Sequence, residues 1–167
     1  NKLNTIIISK PAPSGDENAP TVILQGHMDM VCEKRPDVEH DFTKDGLNLS
    51  VKDGYVSANG TTLGGDDGIA VAYSLALLDS TDIPHPALEV LITVDEEIGL
   101  LGAFGLDCSV LSGKRMINMD SEAEGSLWIS CAGGLSAVSH IPVQRVAAEG
   151  EKLEVKVSGL MGGHSGS

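Results

Sequence analysis

The chain has 167 residues, 41% of them hydrophobic and only 3% aromatic, with Lys+Arg 11 against Asp+Glu 24 for a formal charge of -13. That length fits one domain-sized core, and so acidic a balance excludes nucleic acid or an anionic membrane surface as partner, because both are held through basic patches. Cys32, Cys108 and Cys131 stand far apart with no C-x-x-C pair, which excludes a disulfide framework or a cysteine zinc knuckle; no uncharged apolar stretch reaches the ~18 residues of a membrane span and no basic leader precedes one, so a reducing, cytoplasmic setting is expected.

Leu3 to Ser9 is short and β-branched and predicts a strand, interrupted by Pro11, Pro13 and Gly15. Thr21 to Gln25 predicts a second strand ending at Gly26. Residues 32–46 are charged and aperiodic, a loop fit to rim a site, and Leu47 to Val51 with Tyr55 to Ser57 flank Asp53-Gly54, a hairpin signal. From Asp67 to Leu78 the apolar residues Ile69, Ala72, Tyr73, Ala76 and Leu77 recur at helical spacing, with Asp66 and Asp67 at the start, where carboxylates suit both cap and dipole. Leu88 to Val94 is apolar without alternation, as in a strand covered on both faces, and Met116 to Met119 reads as another. A short helix is expected between them, around Leu100 to Leu106.

This order predicts an α/β fold with a mostly parallel sheet flanked by helices. Beyond Cys131-Ala132-Gly133-Gly134 the pattern alternates, at Leu135 to Ile141 and Lys152 to Val157, as in antiparallel strands at the start of an α+β second domain. The expected division is 1–133 and 134–167. The start at Asn1, with no Met, and the stop inside Gly162-Gly163-His164-Ser165-Gly166 read as a piece of a longer chain.

Four acidic segments lie beside these elements: Gly26-His27-Met28-Asp29, Gly65-Asp66-Asp67-Gly68, Asp95-Glu96-Glu97 and Asp120-Ser121-Glu122. Ligand sites in open α/β sheets gather at the carboxyl ends of strands, and carboxylates brought together there need a cation to offset their lost hydration. Two divalent metals would do so. His27 and Asp29, two apart at a strand end, project to one side, and Asp29 is placed to orient the imidazole. Asp66, between Gly65 and a helix start, can bridge two metals, with Asp67 as turn or cap residue. Glu96 and Glu97 are adjacent and face opposite ways unless the chain bends, which Gly99 allows; one can then ligate while the other takes a proton from water. Asp120 offers a further oxygen ligand, and nitrogen and oxygen donors without sulfur suit Zn, with Mn and Co as alternatives.

His27-Met28-Asp29, the stretch GTTLGGDDGIA from Gly60 to Ala70, Asp95-Glu96-Glu97-Ile98-Gly99 and Asn118-Met119-Asp120-Ser121-Glu122 together resemble the co-catalytic zinc aminopeptidase and carboxypeptidase superfamily, and within it the aminoacyl-histidine dipeptidase branch. The resemblance implies that 1–133 is part of a catalytic domain and 134–167 the start of a lid through which the whole protein forms a homodimer. It implies two zinc ions, with His27, Asp66 and Asp120 on one and Asp66 and Glu97 on the other, Glu96 as general base, Asp29 behind His27, and a cis peptide at Asp66-Asp67. Gly-Gly-His-Ser-Gly resembles the lid motif, which makes His164 a substrate-binding residue. One more histidine ligand, expected far toward the C-terminus, has no counterpart in this chain. The implied activity is metal-dependent hydrolysis of small peptides, Xaa-His dipeptides above all. A tripeptidase, carboxypeptidase or deacylase on the same metal core is the alternative, and a non-catalytic metal-binding fragment is the reading from another class.

Overall fold

The computed structural model describes residues 4–121, 123–131, 133–135, 137–147 and 149–160. The chain falls into two compact units, Asn1–Glu124 and Gly125–Ser167. In the first, the elements follow in the order β1 (Ile6–Lys10), β2 (Val22–His27), β3 (Leu49–Lys52), β4 (Tyr55–Ala58), α1 (Gly65–Asp79), β5 (Leu88–Thr93), α2 (Leu101–Phe104), a 3-10 turn over Cys108–Val110, and β6 (Arg115–Asn118). One sheet has the strand order β1-β5-β2-β6, and β3 and β4 pair as a separate hairpin.

The sheet is α/β in character as expected. β2 runs parallel to both β5 and β6, with His27 level with Thr93 and Gln25 level with Asn118; β1 runs antiparallel to β5. The apolar run of β5 is buried at every residue, which is why it shows no alternation. Leu24, Leu88, Val90 and Ile92 form the core on one face, and Val71, Leu77 and Leu78 of α1 pack against them. Lys10 closes the far end of that helix, its Nζ donating to the carbonyls of Leu77 and Ser80 at 2.7 and 2.5 Å, which satisfies acceptors that a helix C-terminus leaves unpaired.

Three expectations need correction. The face that α1 turns inward carries Ala70, Val71, Ser74, Leu77 and Leu78, while Ile69 and Tyr73 are exposed. The helix is apolar nearly all round, so spacing alone does not choose its face. β6 is not a strand covered on both faces: its residues are exposed, and it ends the strand order, with β2 as its one neighbour among the described residues. In the second unit, Leu135 to Ile141 and Lys152 to Val157 take no strand structure among the described residues. An alternating run becomes a strand only when another edge accepts its backbone hydrogen bonds, and two short strands alone are marginal in water. Among the described residues, no helix is long and apolar enough to cross a membrane.

At the end of β5 away from its last residue, Glu89 is a buried carboxylate on the face opposite α1. It accepts from the Ser112 N–H at 2.9 Å, the Ser112 hydroxyl at 2.7 Å and the Gly113 N–H at 2.9 Å, and so anchors the loop that enters β6. Gly113 is needed there: a Cβ would stand 2.8 Å from Ile23 Cγ1. The Gly113 N–H, then the Ser112 hydroxyl, hold the Glu89 carboxyl below its ordinary 4.5. A depressed carboxylate adds stability that is present above its unfolded value and is lost as pH falls through the folded one. Glu89→Gln should therefore lower stability by about 1–3 kcal/mol at about pH 7, the range for hydrogen bonds to a charged group, and the gap between variant and parent should close below pH 4.5. Denaturant unfolding on both sides of that value measures it, and an unchanged gap at low pH would contradict the anchoring role.

Candidate metal centre

Parallel pairing brings the last residues of β2 and β5 to one edge of the sheet, and the segment after β6 ends there too. His27 closes β2, Asp95 to Glu97 follow β5, and Asp120 follows β6. Asp66 and Asp67 open α1, which packs on the same sheet. The acidic segments thus meet where the strand ends predict.

His27 is the centre of the group, 1% exposed. Its Nε2 lies 3.0 Å from Asp66 Oδ1 and 3.9 Å from Asp120 Oδ2. On the other side of the ring, Nδ1 lies 3.0 Å from the Asp29 carbonyl oxygen and 3.4 Å from Asp29 Oδ1. The second oxygen of Asp29 accepts the Glu97 N–H at 3.2 Å. Asp29 therefore ties the imidazole to the turn that carries the glutamates.

That turn bends at a residue which spacing did not single out. Asp95 has φ 55, a left-handed conformation that Asp adopts more readily than most residues, and Leu101 N–H and Gly102 N–H return to the carbonyls of Asp95 and Val94. Gly99, with φ 119, lies further along the turn. Glu97 has a carboxylate oxygen within 4.8 Å of ligand atoms of His27 and Asp66, and Glu96 is near enough to feel the charges of His27, Glu97, Asp66 and Asp29.

The charges act on one another strongly. Burial pushes the Asp120 carboxyl up, Asp66 and Asp67 push it further against the pull of His27, and it reaches about 6. Burial is also the largest cause of the rise at Glu96, where Glu97, Asp66 and Asp29 add to it, and at Asp67, where the His27 and Ala70 N–H groups oppose it. Burial pulls His27 down, yet the Asp66 hydrogen bond and the charges of Asp120, Asp29 and Glu96 outweigh it and leave the imidazole raised. Burial raises Asp29 as well, but the N–H groups of Glu96 and Glu97 outweigh it and hold the carboxyl below its ordinary range.

Two sets of donors are close enough to share an ion, His27 with Asp66 and Glu97, and His27 with Asp67 and Asp120, each with ligand atoms within 4.8 Å of one another. Both sets are nitrogen and oxygen donors. Co-ligands about 2.0–2.2 Å from one tetrahedral ion stand about 3.4 Å apart, and the 3.0 and 3.9 Å separations from His27 Nε2 to Asp66 and Asp120 bracket that value. The residues fit a divalent metal. Asp67, read from the sequence as a turn or cap residue, belongs to this group and lies in the first turn of α1. His164 and Glu122 lie outside the described residues.

Sequence reasoning missed a polar rung beneath the site. The Asn118 amide donates to Gln25 Oε1, and Gln25 Nε2 lies 3.1 Å from the Gly26 carbonyl and 3.4 Å from Thr93 Oγ1. The signal was available: Gln25 and Asn118 are amides that interrupt apolar strands two residues before His27 and Asp120.

No family model matches the chain. It is 45% identical over 167 residues to the cytosol non-specific dipeptidase of Escherichia coli, a match that covers 99% of this chain and 34% of that protein. It is 49% identical to the crystal structure of an aminoacylhistidine dipeptidase from Vibrio alginolyticus, with TM-score 0.70 over 72% of this chain and 25% of that one. The aminopeptidase PepT of Bacillus cereus is 34% identical with TM-score 0.54, over 71% of this chain and 30% of its own. A tripeptidase of Staphylococcus aureus is 29% identical with TM-score 0.57, again over 71% and 30%. The chain thus spans about a third of the curated dipeptidase, 34% of its length. In sequence the chain is thus similar along nearly its whole length to a cytosol non-specific dipeptidase, and in fold over 72% of it to an aminoacylhistidine dipeptidase.

Proposed function

We propose that the protein carrying this chain is a metal-dependent dipeptidase of the cytoplasm that hydrolyses small peptides, Xaa-His dipeptides in particular. The observation that carries this reading is the convergence on His27 of Asp66, Asp67, Glu97 and Asp120, with Glu96 alongside. His27, Asp66 and Asp120 would hold one zinc ion and Asp66 with Glu97 a second, Mn and Co being the alternatives for this donor set. Such ions, when bound, supply a polarised scissile carbonyl and a water acidified toward neutral pH.

The chain's own residues do the rest. Glu96, raised by burial and by neighbouring carboxylates, accepts the proton of the attacking water as its oxygen bonds to the carbonyl carbon. It then gives that proton to the amine nitrogen as the C–N bond breaks, so the carboxylate is restored. Asp29, kept ionised by the backbone N–H groups of Glu96 and Glu97, orients His27 through its Nδ1 side and fixes which nitrogen faces the site. The residues from 134 onward begin a lid through which the whole protein dimerises, and His164 binds the substrate there.

A dipeptide substrate is favoured over a tripeptide by degree of likeness. The dipeptidases share 45% and 49% identity with this chain, the PepT and tripeptidase structures 34% and 29%. Cleavage of an Xaa-His panel by the intact protein, against matched tripeptides, decides between them; faster tripeptide turnover would overturn the dipeptide assignment. Glu96→Gln should lower kcat by about 10²–10⁴-fold while divalent-ion affinity, read by calorimetric titration, stays close to that of the parent.

Asp120 gives a second prediction with opposite signs in two conditions. An acid raised from 3.8 to about 6 on folding makes the folded state bind more protons, so without ions its contribution to stability declines as pH rises across that window. In chelator near pH 7, Asp120→Asn should melt at a higher temperature than the parent, and the difference should vanish below pH 3.8. With excess Zn²⁺ the order should invert, because the parent alone gains full ion stabilisation. A variant that melts lower in chelator would contradict the crowding of carboxylates described above.

A further inference from the structure

We infer that Asp67 is a positioning residue for the metal centre, holding His27 and the start of α1 in place through its carboxylate, and that Gly26 is glycine so that this carboxylate can reach them. The inference rests on the metal-centre reading above and adds a role for residues to which that reading gives none.

Asp67 is 2% exposed. A carboxylate so enclosed is tolerated only if backbone or cationic donors satisfy it. Here Oδ2 accepts the His27 N–H at 3.2 Å, a bond that crosses 40 positions of sequence to the last residue of β2. Asp67 itself lies in the first turn of α1. One side chain therefore fastens the end of the strand that delivers His27 to the first turn of the helix that delivers Asp66. The two groups so fastened are the pair whose Nε2 and Oδ1 stand 3.0 Å apart.

Gly26 supplies an independent observation. A Cβ there would stand 2.5 Å from Asp67 Oδ2 and closer still to Ala70 Cβ. Nothing larger than hydrogen fits between β2 and that turn. The same close approach explains why Ala70, with its single methyl, is fully buried at 0% exposure. Ligation by Asp67 is the competing role, since its carboxylate is within 4.8 Å of ligand atoms of His27 and Asp120. The His27 N–H already engages Oδ2, which gives the carboxylate a supporting bond independent of ligation.

The two roles separate by chemistry. Asp67→Asn keeps a side-chain carbonyl oxygen for the His27 N–H but has no charge to give an ion. Asp67→Ala removes the acceptor, and Gly26→Ala keeps the carboxylate but displaces it. Mn²⁺ and Zn²⁺ affinities of the intact protein, by calorimetric titration, and melting temperature in chelator are the readouts. Positioning predicts that Asp67→Ala and Gly26→Ala each weaken ion binding by about 10–100-fold, as loss of an outer support does, and that Asp67→Asn restores most of it. If Asp67→Asn loses as much affinity as Asp67→Ala, the carboxylate acts on the ion directly and the inference is wrong. Unchanged affinity in every variant overturns it too, leaving the metal centre intact. A parent protein that binds neither ion overturns the metal-centre reading itself, and this inference with it. Should Asp67→Ala fail to fold, the comparison of Asp67→Asn with Gly26→Ala still decides.

Discussion

The buried imidazole of His27, surrounded by Asp29, Asp66, Asp67, Glu96 and Asp120, is the arrangement on which the rest of this structure depends. Like charges this close cannot all be comfortable in the ionised state, because each has also lost water. The shifts divide accordingly. Asp120 and Glu96 rise, while Asp29, supplied with backbone N–H donors, falls. Carboxyls driven apart in this way are suited to different tasks: the depressed Asp29 keeps its charge more readily, and under the proposed function the raised Glu96 is the one that takes and returns a proton.

The sheet makes this gathering of charge geometrically cheap. Parallel strands point their carboxyl ends to one edge, so β2 and β5 finish level, with His27 beside Thr93. β6 stops at Asn118, level with Gln25, and two further residues carry the chain to Asp120. β1, antiparallel to β5, brings its amino end rather than its carboxyl end there, and among the described residues it contributes no ligand to the group. Stability comes from the opposite side and the opposite end: the Leu24, Leu88, Val90 and Ile92 core under α1, and the Glu89 anchor at the entry to β6. Ordinary apolar packing and a satisfied buried carboxylate hold rigid the strands whose ends carry the strain of repulsion.

How much of this the sequence disclosed varies with the physics of each element. β5 was legible because burial on both faces removes alternation, and the hairpin because Asp53-Gly54 is chemistry that turns require. The gathering of His27, Asp66, Glu97 and Asp120 was legible because these residues stand at strand ends and at a helix start, which parallel pairing brings to one edge. The inward face of α1 was not legible, since Ile69 and Tyr73 are as apolar as the residues that do pack. Nor was the exposure of β6, because an edge position is a property of strand order rather than of the strand's own residues. Asp95 was passed over in favour of Gly99: glycine announces its freedom, whereas an aspartate with φ 55 shows its conformation only once the turn around it is built. The function of the amide rung was hidden for a related reason, as Gln25 and Asn118 acquire meaning only when their strands are neighbours.

The relatives bear on where specificity resides. Proteins named dipeptidase, tripeptidase and aminopeptidase all share this stretch of sheet and helix, with identity from 29% to 49%. The sheet-and-helix fold is common to these relatives and so does not by itself separate dipeptidase from tripeptidase; that difference lies in residues they do not share, within this stretch or beyond it. In this chain the fold brings His27, Asp66, Asp67, Glu97 and Asp120 together. Under the proposed function, substitutions at His27 and Asp120 should act on all substrates alike, whereas a change that spares one peptide length and not another marks a residue that reads length.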